Sequence, residues 1–239
     1  YIDGVYVLTI NENTTAPNLS MLNSNALPSL KITGNAILEI NRLASTLDSL
    51  IIENGKFKID DLTVNNLTLR GNDASIETSK LITKKLIIDG ANYISNSSLS
   101  VDNINVINKG TLTVNGSIKT TNLLVENGST LKVTATNNDA IIVNNKGNLH
   151  LLGNTTITAA SGKTGICFNS PESAIYLKDT SRVTVSGGAF TIGHFNTNNS
   201  AKVYYPKNAT NANNKITSAD GNILLSYGGL CKIDFVAEM

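Results

Sequence analysis

The sequence has few charged and few aromatic residues, and these shortages exclude several classes of protein. Of its 239 residues, 15% are charged and 5% are aromatic, and tryptophan is absent. The formal net charge is +1, and no cluster of basic residues is longer than the pair Lys84 and Lys85. The basic surface of a nucleic-acid-binding protein is therefore missing. No apolar run approaches the roughly 18 residues that a membrane-spanning helix needs. We expect neither a nucleic-acid partner nor a membrane span.

Cysteine is equally scarce, since only Cys167 and Cys231 are present. Two cysteines are too few for a disulfide framework, and these two lack the spacing of metal ligands. Cys167 lies in the apolar stretch GICF, which favours a buried thiol. A disulfide between Cys167 and Cys231, tying the C-terminal segment to the rest of the chain, is the alternative. The sequence predicts no metal site and no cofactor.

What the sequence does contain is a repeat. When residues 140–162 are aligned with residues 165–188, apolar positions fall on apolar positions, and Asn, Ser, Lys, Asp and Gly fall in the breaks. The aligned pairs are Ile141 with Ile166, Val143 with Phe168, Leu149 with Ile175, Leu151 with Leu177, Ile157 with Val183 and Gly162 with Gly188. Self-similarity at such a period indicates stacked supersecondary units, because one unit cannot bury its apolar face alone.

Shorter copies of the pattern precede this stretch, and each is a strand, a turn with glycine and a second strand. Their glycines recur about every 19 residues, which is too short a period for helical repeats. The marking glycines are Gly34, Gly55, Gly71, Gly90, Gly110, Gly128 and Gly147. Alternation within the strands places Leu131 and Val133 inward and Lys132 outward. The same glycines would suit antiparallel hairpins, so a meander or sandwich is the alternative.

These patterns predict an all-β fold, a single-stranded parallel β-helix (β-solenoid) of about nine coils with irregular capping ends. We expect residues 1–28 to form an N-terminal cap segment, 29–192 the coils, and 193–239 an irregular loop with C-terminal coils or a cap, all in one domain. The stretch Leu38–Ile51 has apolar residues at helical spacing, so a short helix between coils is the alternative there.

Three phrases of the sequence resemble a known family: TGICFNSPESAIYLKDTSRVTVSGG, NKGTLTVNGSI and ENGSTLKV. They resemble coils of pectate-lyase-like right-handed parallel β-helices in bacterial surface and secreted proteins, which include repeat adhesins and carbohydrate-binding proteins. The resemblance covers roughly residues 29–192. It implies a right-handed coil, a secreted or cell-surface location in a bacterium, and a place within a larger surface protein. Enzymes on this scaffold usually degrade acidic polysaccharides.

The acidic residues do not form a recognisable catalytic group. A lyase of this kind needs an Asp/Glu cluster for calcium, and a hydrolase needs two or three converging carboxylates. Lys178, Asp179 and Arg182 come nearest to a charged group, and we interpret them as a solvated corner. Thr-x-Thr segments at 111–113 and 156–158 fall at unequal positions in their units, so we expect no regular threonine array of the kind that binds ice. No catalytic residue is predicted.

A few aromatic side chains are the candidates for ligand binding. His150 alternates outward and Tyr176 replaces it in the next unit, which would suit stacking against a sugar; a surface ladder without a ligand is the alternative. Phe195, Tyr204 and Tyr205 form a second candidate patch, or else pack a loop onto the coils. We expect a non-catalytic, adhesin-like module that binds carbohydrate or a host surface. There are two alternatives. The chain could be an enzyme, either a polysaccharide lyase or a glycoside hydrolase, or it could be a structural stalk.

Overall fold

The structure is a computed structural model that describes residues 5–19, 27–43, 46–170, 172–194, 200–207, 209, 215–218, 225–226 and 232–238. Every regular element in these residues is a β-strand, so none of them supplies a helix long and apolar enough to cross a membrane. The chain divides into two compact units, Tyr1–Tyr93 and Ile94–Met239. The strand β10 (Asn92–Ser95) runs across the boundary between them.

The first unit contains two sheets in which the described strands pair in parallel, and one isolated antiparallel bridge joins Arg70 to Gly90. Sheet A1 has the order β1 (Val5–Ile10), β3 (Ser29–Gly34), β5 (Leu47–Glu53), β7 (Asp61–Arg70), β9 (Lys80–Asp89). Sheet B1 has the order β2 (Thr14–Leu19), β4 (Ile37–Leu43), β6 (Lys56–Lys58), β8 (Ser75–Glu77). The chain thus alternates between the two sheets.

The second unit repeats this arrangement with longer sheets. Sheet A2 is formed by β11 (Leu99–Ser100), β12 (Asn103–Ile107), β14 (Ile118–Val125), β16 (Ile141–Leu151), β18 (Thr164–Phe168), β19 (Ser173–Tyr176), β21 (Phe190–His194), β22 (Ser200–Pro206), β24 (Leu225–Ser226) and β25 (Lys232–Glu238). Sheet B2 has the order β13 (Thr111–Val114), β15 (Thr130–Thr134), β17 (Asn154–Ala159), β20 (Arg182–Gly187), β23 (Ile216–Ser218). Their described pairings are again all parallel.

Parallel neighbours need a crossover connection, and here a strand of the other sheet provides it in place of the usual helix. Each pass of the chain therefore returns to both sheets, as in a parallel β-helix, and in sheet A2 one pass can contribute two consecutive strands, such as β18 and β19. The all-β, parallel class predicted from the repeat is confirmed. The antiparallel meander is wrong, because hairpin connections would pair neighbouring strands in opposite directions.

Inward-facing side chains form apolar columns across the strands. Leu131 pairs with Leu112 and Val133 pairs with Val114, and each of the four side chains is at most 1% exposed. Lys132, which lies between Leu131 and Val133 in the sequence, is exposed. The predicted inward and outward faces of β15 are confirmed. At about 25 cal/mol per Å² of apolar area removed from water, such columns are the main source of stability for this kind of fold.

The predicted alignment of the long units is confirmed in sheet A2 and wrong in sheet B2. Ile141 pairs with Ile166 as expected, but Ile157 pairs with Val185, and Val183 pairs with Thr155. The offset in sheet B2 is therefore 28 residues. The two extra residues lie in the turn after β19, which the Ser181 amide closes by donating to the Lys178 carbonyl at 3.0 Å.

The offset of 28 residues ends with this pair of strands: Ala159 pairs with Gly187, but Thr164 pairs with Phe190 at the offset of 26 again, which is the offset predicted for Gly162 and Gly188. A shift by two residues keeps the same side chains inward, because side chains alternate with a period of two along a strand. The faces predicted from the sequence are therefore correct in spite of the wrong offset.

The stretch Leu38–Ile51 is not helical in its described part. It belongs to β4 and β5, while residues 44–45 lie outside the described residues. Leu38 and Ile40 are both buried, at the period of two that a strand requires. The apparent helical spacing arises because the stretch spans two successive strands.

One corner of sheet A1 explains where the left-handed backbone is needed. Gly34, Asn54 and Gly71 follow paired strand residues and have φ of 114°, 58° and 86°. Glycine and asparagine tolerate this region best. The corner residue after β5 is thus Asn54, and the predicted turn marker, Gly55, is the residue that follows it. Gly147, another predicted turn marker, instead lies inside β16, where a Cβ would collide with the Thr121 carbonyl oxygen.

Candidate functional site

Three of the predicted binding residues form one continuous stack on the outward side of sheet A2. His150 of β16 pairs with Tyr176 of β19, and Tyr176 pairs with Tyr204 of β22. The ring centroids are 4.5 Å apart for the first pair and 4.9 Å for the second, and the interplanar angles are 6° and 8°. We call these three residues the aromatic ladder.

The alternation of the strands explains why the ladder faces outward. The residue before each ring, Leu149, Ile175 or Val203, is 0% exposed and points into the core. Successive side chains of a strand point to opposite sides. The rings therefore lie outside, and the strand spacing of about 4.8 Å stacks them at a distance favourable for aromatic contacts.

The stacking limits how the ladder could contact a sugar. Both faces of Tyr176 are covered, one by His150 and the other by Tyr204. Leu124 pairs with His150 and Val236 pairs with Tyr204, so the column continues at both ends. The sequence suggested that a sugar could stack on these rings. A sugar cannot lie flat on the central ring, however, because neither of its faces is free. The ladder presents ring edges and phenol hydroxyls to solvent instead.

Burial and two charged neighbours set the protonation of His150. Burial lowers its pKa, the Glu238 carboxylate raises it to a smaller extent, and the Lys178 ammonium lowers it. Lys178 and Glu238 also form an ion pair with each other. The net effect is a lowered pKa, so His150 is neutral at pH 7. A neutral ring stacks on a tyrosine without the cost of desolvating a charge.

The remaining predicted residues do not join the ladder. Tyr205 follows Tyr204 directly and so points to the opposite side of β22. Tyr205 therefore does not extend the ladder, and the predicted patch of Phe195, Tyr204 and Tyr205 stays a prediction. Phe195 and Cys231 lie outside the described residues, so their predicted roles stay predictions. Cys167 is 2% exposed, as expected for its apolar strand.

Sheet B2 carries a second ordered surface, which sequence reasoning missed. Its outward positions hold mainly threonine and serine in columns that run across the strands, and we call this surface the hydroxyl face. One column is Thr111, Thr130, Asn154, Arg182; the next is Thr113, Lys132, Thr156, Thr184, Thr217; the third is Thr134, Thr158, Ser186. The hydroxyls of Thr158 and Ser186 lie 3.2 Å apart.

The hydroxyl face is regular. The pairings of β13, β15, β17 and β20 run without a register shift, whereas β14 and β16 of sheet A2 have a bulge between Thr120 and Asn122. Outward side chains on such a sheet are about 4.8 Å apart across strands and about 6.6 Å apart along them. The prediction that the Thr-x-Thr segments fall at unequal positions is confirmed, since 111–113 aligns with 154–156 whereas 156–158 aligns with 132–134 and 184–186. Threonines from other units nevertheless complete the columns, which the sequence did not lead us to expect.

The offset error explains why the face was missed. With an offset of 26 residues, Thr156 aligns with Arg182 and the columns disappear, whereas the actual offset of 28 aligns it with Thr184. The signal in the sequence is the alternation TLTV, TLKVT, NTTIT and RVTVS. This alternation can be recognised as a continuous surface only once the length of the turn before Arg182 is known.

The predicted solvated corner and a second acidic turn, at Asp60, have structural roles. Lys178, Asp179 and Arg182 are all exposed, and the Asp179 carbonyl accepts a hydrogen bond from Lys215 Nζ at 2.6 Å. The carbonyl of Asp60 accepts from the Thr78 hydroxyl at 2.9 Å. Within the described part of the chain, no three His, Cys, Asp or Glu side chains group closely enough to hold a metal ion.

Comparison with known proteins gives no relative: no protein-family model, no curated protein and no solved structure matches this chain.

Proposed function

We propose that this chain is a non-catalytic, adhesin-like module of a bacterial surface or secreted protein, and that it binds an extended carbohydrate. The scaffold we propose is a right-handed parallel β-helix of about nine coils, within a larger surface protein. The observation that carries the proposal is the periodicity of the outward columns in the second unit.

Periodic columns suit a periodic ligand. In the aromatic ladder, equivalent side chains follow one another at 4.5 and 4.9 Å, and the columns of the hydroxyl face repeat at the strand spacing of about 4.8 Å. A polysaccharide repeats its hydroxyl groups along its length in the same way. Each repeat of the ligand would meet the same kind of donor and acceptor, so many weak hydrogen bonds add to a useful affinity.

The proposal is tested with the purified chain on a glycan array, beside a digestion screen with polysaccharides. We expect binding without release of reducing or unsaturated sugar ends. The triple variant His150→Ala, Tyr176→Ala, Tyr204→Ala measures the share of the aromatic ladder. Phe190→Ala is the control, because this aromatic side chain is 37% exposed and lies outside the ladder.

Two results would contradict the proposal. Degradation of a polysaccharide would make the chain a lyase or hydrolase and require a carboxylate pair on another surface. The absence of both binding and degradation would favour the structural stalk, in which the columns only stabilise the sheets.

A further inference from the structure

The hydroxyl face differs from the corresponding face of the first unit in a way that strand formation does not require. Outward positions of sheet B1 include Glu39, Lys58 and Glu77, which are adjacent in register and alternate in sign. Threonine is common in strands because of its branched side chain, but sheet B1 shows that charged residues serve as well. The nearly uniform hydroxyl surface of sheet B2 therefore needs another explanation.

The charge of the hydroxyl face has one sign. Its outward positions include two charged residues, Lys132 and Arg182, and both are exposed. No acidic residue occupies an outward position in the described columns of this face. Neither cation has a carboxylate partner among the described ion pairs. Elsewhere the chain pairs such cations, as with Lys146 and Glu172 at 2.6 Å.

Neutral donors surround Lys132, whereas Arg182 lies beside Asn154 on one side and beside Lys215 on the other. Lys132 lies between Thr113 and Thr156 in its column, and between Thr130 and Thr134 along β15. A cation beside several hydroxyl donors suits an anionic group with three acceptor oxygens, which accepts from several donors at once. A sulfate ester has this form and stays charged over the whole physiological pH range.

We propose that the hydroxyl face binds a sulfated polysaccharide, with Lys132 and Arg182 contacting sulfate groups and the threonine columns contacting sugar hydroxyls. This inference rests on the proposed carbohydrate-binding function and assigns it to one surface and one ligand class. The ligand lies along the sheet, and its sulfates meet cations that belong to different columns.

The test measures binding of the full chain to immobilised heparin, which is sulfated, to polygalacturonate, which is carboxylated, and to dextran, which is neutral. We expect binding to heparin that weakens as salt is added, because exposed charges are screened over about 10 Å at moderate ionic strength. We expect at least several-fold weaker binding to polygalacturonate and none to dextran.

The double variant Lys132→Gln, Arg182→Gln should lose about tenfold in heparin affinity, since each exposed ion pair contributes a few-fold. Its matched control is Lys119→Gln, Lys202→Gln, which removes the same charge from exposed positions of sheet A2. The control should keep most of its affinity. Equal losses in both pairs would overturn the proposal, because they would show attraction to net charge alone.

A second pair of variants tests the hydroxyls without a change of charge. Thr156→Val, Thr184→Val keeps the shape of the side chains and should weaken heparin binding several-fold, whereas Thr63→Val, Thr68→Val on sheet A1 should not. Thermal unfolding verifies that each variant folds. If other glycans bind and the variants of the hydroxyl face bind them like the wild type, this inference fails while the proposed function stands. If no glycan binds at all, both fail.

Discussion

The two units stabilise the outward sides of their stacked strands by different means. In the first unit, opposite charges alternate across sheet A1. Lys31 Nζ lies 2.7 Å from Glu53 Oε2, Arg70 Nη1 lies 3.8 Å from Glu53 Oε1, and Arg70 Nε lies 2.8 Å from Asp89 Oδ2. Sheet B1 repeats the principle with Lys58 between two glutamates.

In the second unit, ion pairs also occur, as between Lys146 and Glu172, but several outward columns stack like side chains on like. The aromatic ladder is one example, and asparagine pairs are another. Asn122 Nδ2 donates to Asn103 Oδ1 at 2.9 Å, and Asn169 Nδ2 donates to Asn144 Oδ1 at 3.0 Å. An amide carries both a donor and an acceptor, so identical amides satisfy each other. Identical charges would repel.

The difference teaches that the inward columns are common to both units and the outward columns are not. Alternating charges respond to salt and oppose a shift by one strand, because such a shift would bring like charges together. Columns of identical neutral side chains are insensitive to salt and would also allow a shift by one strand. Substitutions in the inward columns should therefore affect both units, and substitutions in the outward columns should affect them differently.

The largest effect should come from a charge in an inward column. Leu67 in the first unit and Leu131 in the second are both 0% exposed. Either Leu→Asp variant should lower the free energy of unfolding by about 4 kcal/mol or more, because an unpaired carboxylate would be buried. Thr63→Asp, at an exposed position, is the control. Chemical denaturation measures all three, and wild-type stability in a core variant would show that the assigned faces are wrong.

Reversing the charge of one outward lysine should lower stability in the first unit and change it little in the second. Lys58→Glu would place three acidic residues side by side and should cost about 1 kcal/mol at low salt. The triple variant Glu39→Lys, Lys58→Glu, Glu77→Lys restores the alternation and should restore most of the stability. Lys132→Glu in the second unit has no acidic neighbour in its columns and should change stability little. An equal cost at both sites would contradict the difference between the units.

One inward column of the second unit contains a polar residue. Thr155 lies between Leu131 and Val183, is 1% exposed, and its hydroxyl has no hydrogen-bond partner. Thr155→Val keeps the shape and removes the unsatisfied group, so we expect a gain of about 1 kcal/mol in the free energy of unfolding. Thr156→Val, on the outward side, should change it by less than about 0.5 kcal/mol. A loss of stability in Thr155→Val would indicate that the hydroxyl has a partner.

The smallest effect concerns pH and the aromatic ladder. Because burial lowers the pKa of His150 in the folded chain, the unfolded chain binds the proton more readily. Stability should therefore fall as the pH drops through the unfolded pKa, about 6.5, and level off below the folded pKa. The fall should be well under about 1 kcal/mol, since the ring is largely exposed to solvent screening.

His150→Phe should remove this part of the pH dependence and keep the stack. The thermal unfolding of wild type and variant, compared between pH 7.5 and 5, measures the effect. An NMR titration in which His150 has a pKa above that of an unfolded histidine would contradict the assigned environment.

Much of the fold follows from local patterns in the sequence. The period of two in β13 and β15 identifies the inward Leu112 and Leu131, and the recurrence of the pattern indicates stacking. The outward stack of His150 on Tyr176 is also predictable, because both precede a buried leucine at the end of a matched strand. Stacked side chains can be predicted from the sequence wherever the connections before the two strands are matched in length.

The rest depends on turns, whose lengths the hydrophobic pattern does not reveal. The turn from Lys178 to Ser181 is longer than its counterpart after Leu151, and only its hydrogen bonds show where the extra residues lie. The hydroxyl face depends on that turn. The covered faces of Tyr176 depend on Tyr204, whose strand follows a segment without a clear repeat.

The most direct test of this account is the register of β17 and β20. With Cys167 and Cys231 replaced by serine, cysteines are placed at 156 and 184 in one variant and at 156 and 182 in another. Paired strand residues lie within the Cα separation of about 4.4–6.8 Å that a disulfide needs, and the diagonal pair lies about 8 Å apart. Mild oxidation followed by mass spectrometry should show rapid, complete cross-linking of 156 with 184 and little of 156 with 182. Preferential cross-linking of 156 with 182 would contradict the 28-residue register and the columns of the hydroxyl face with it.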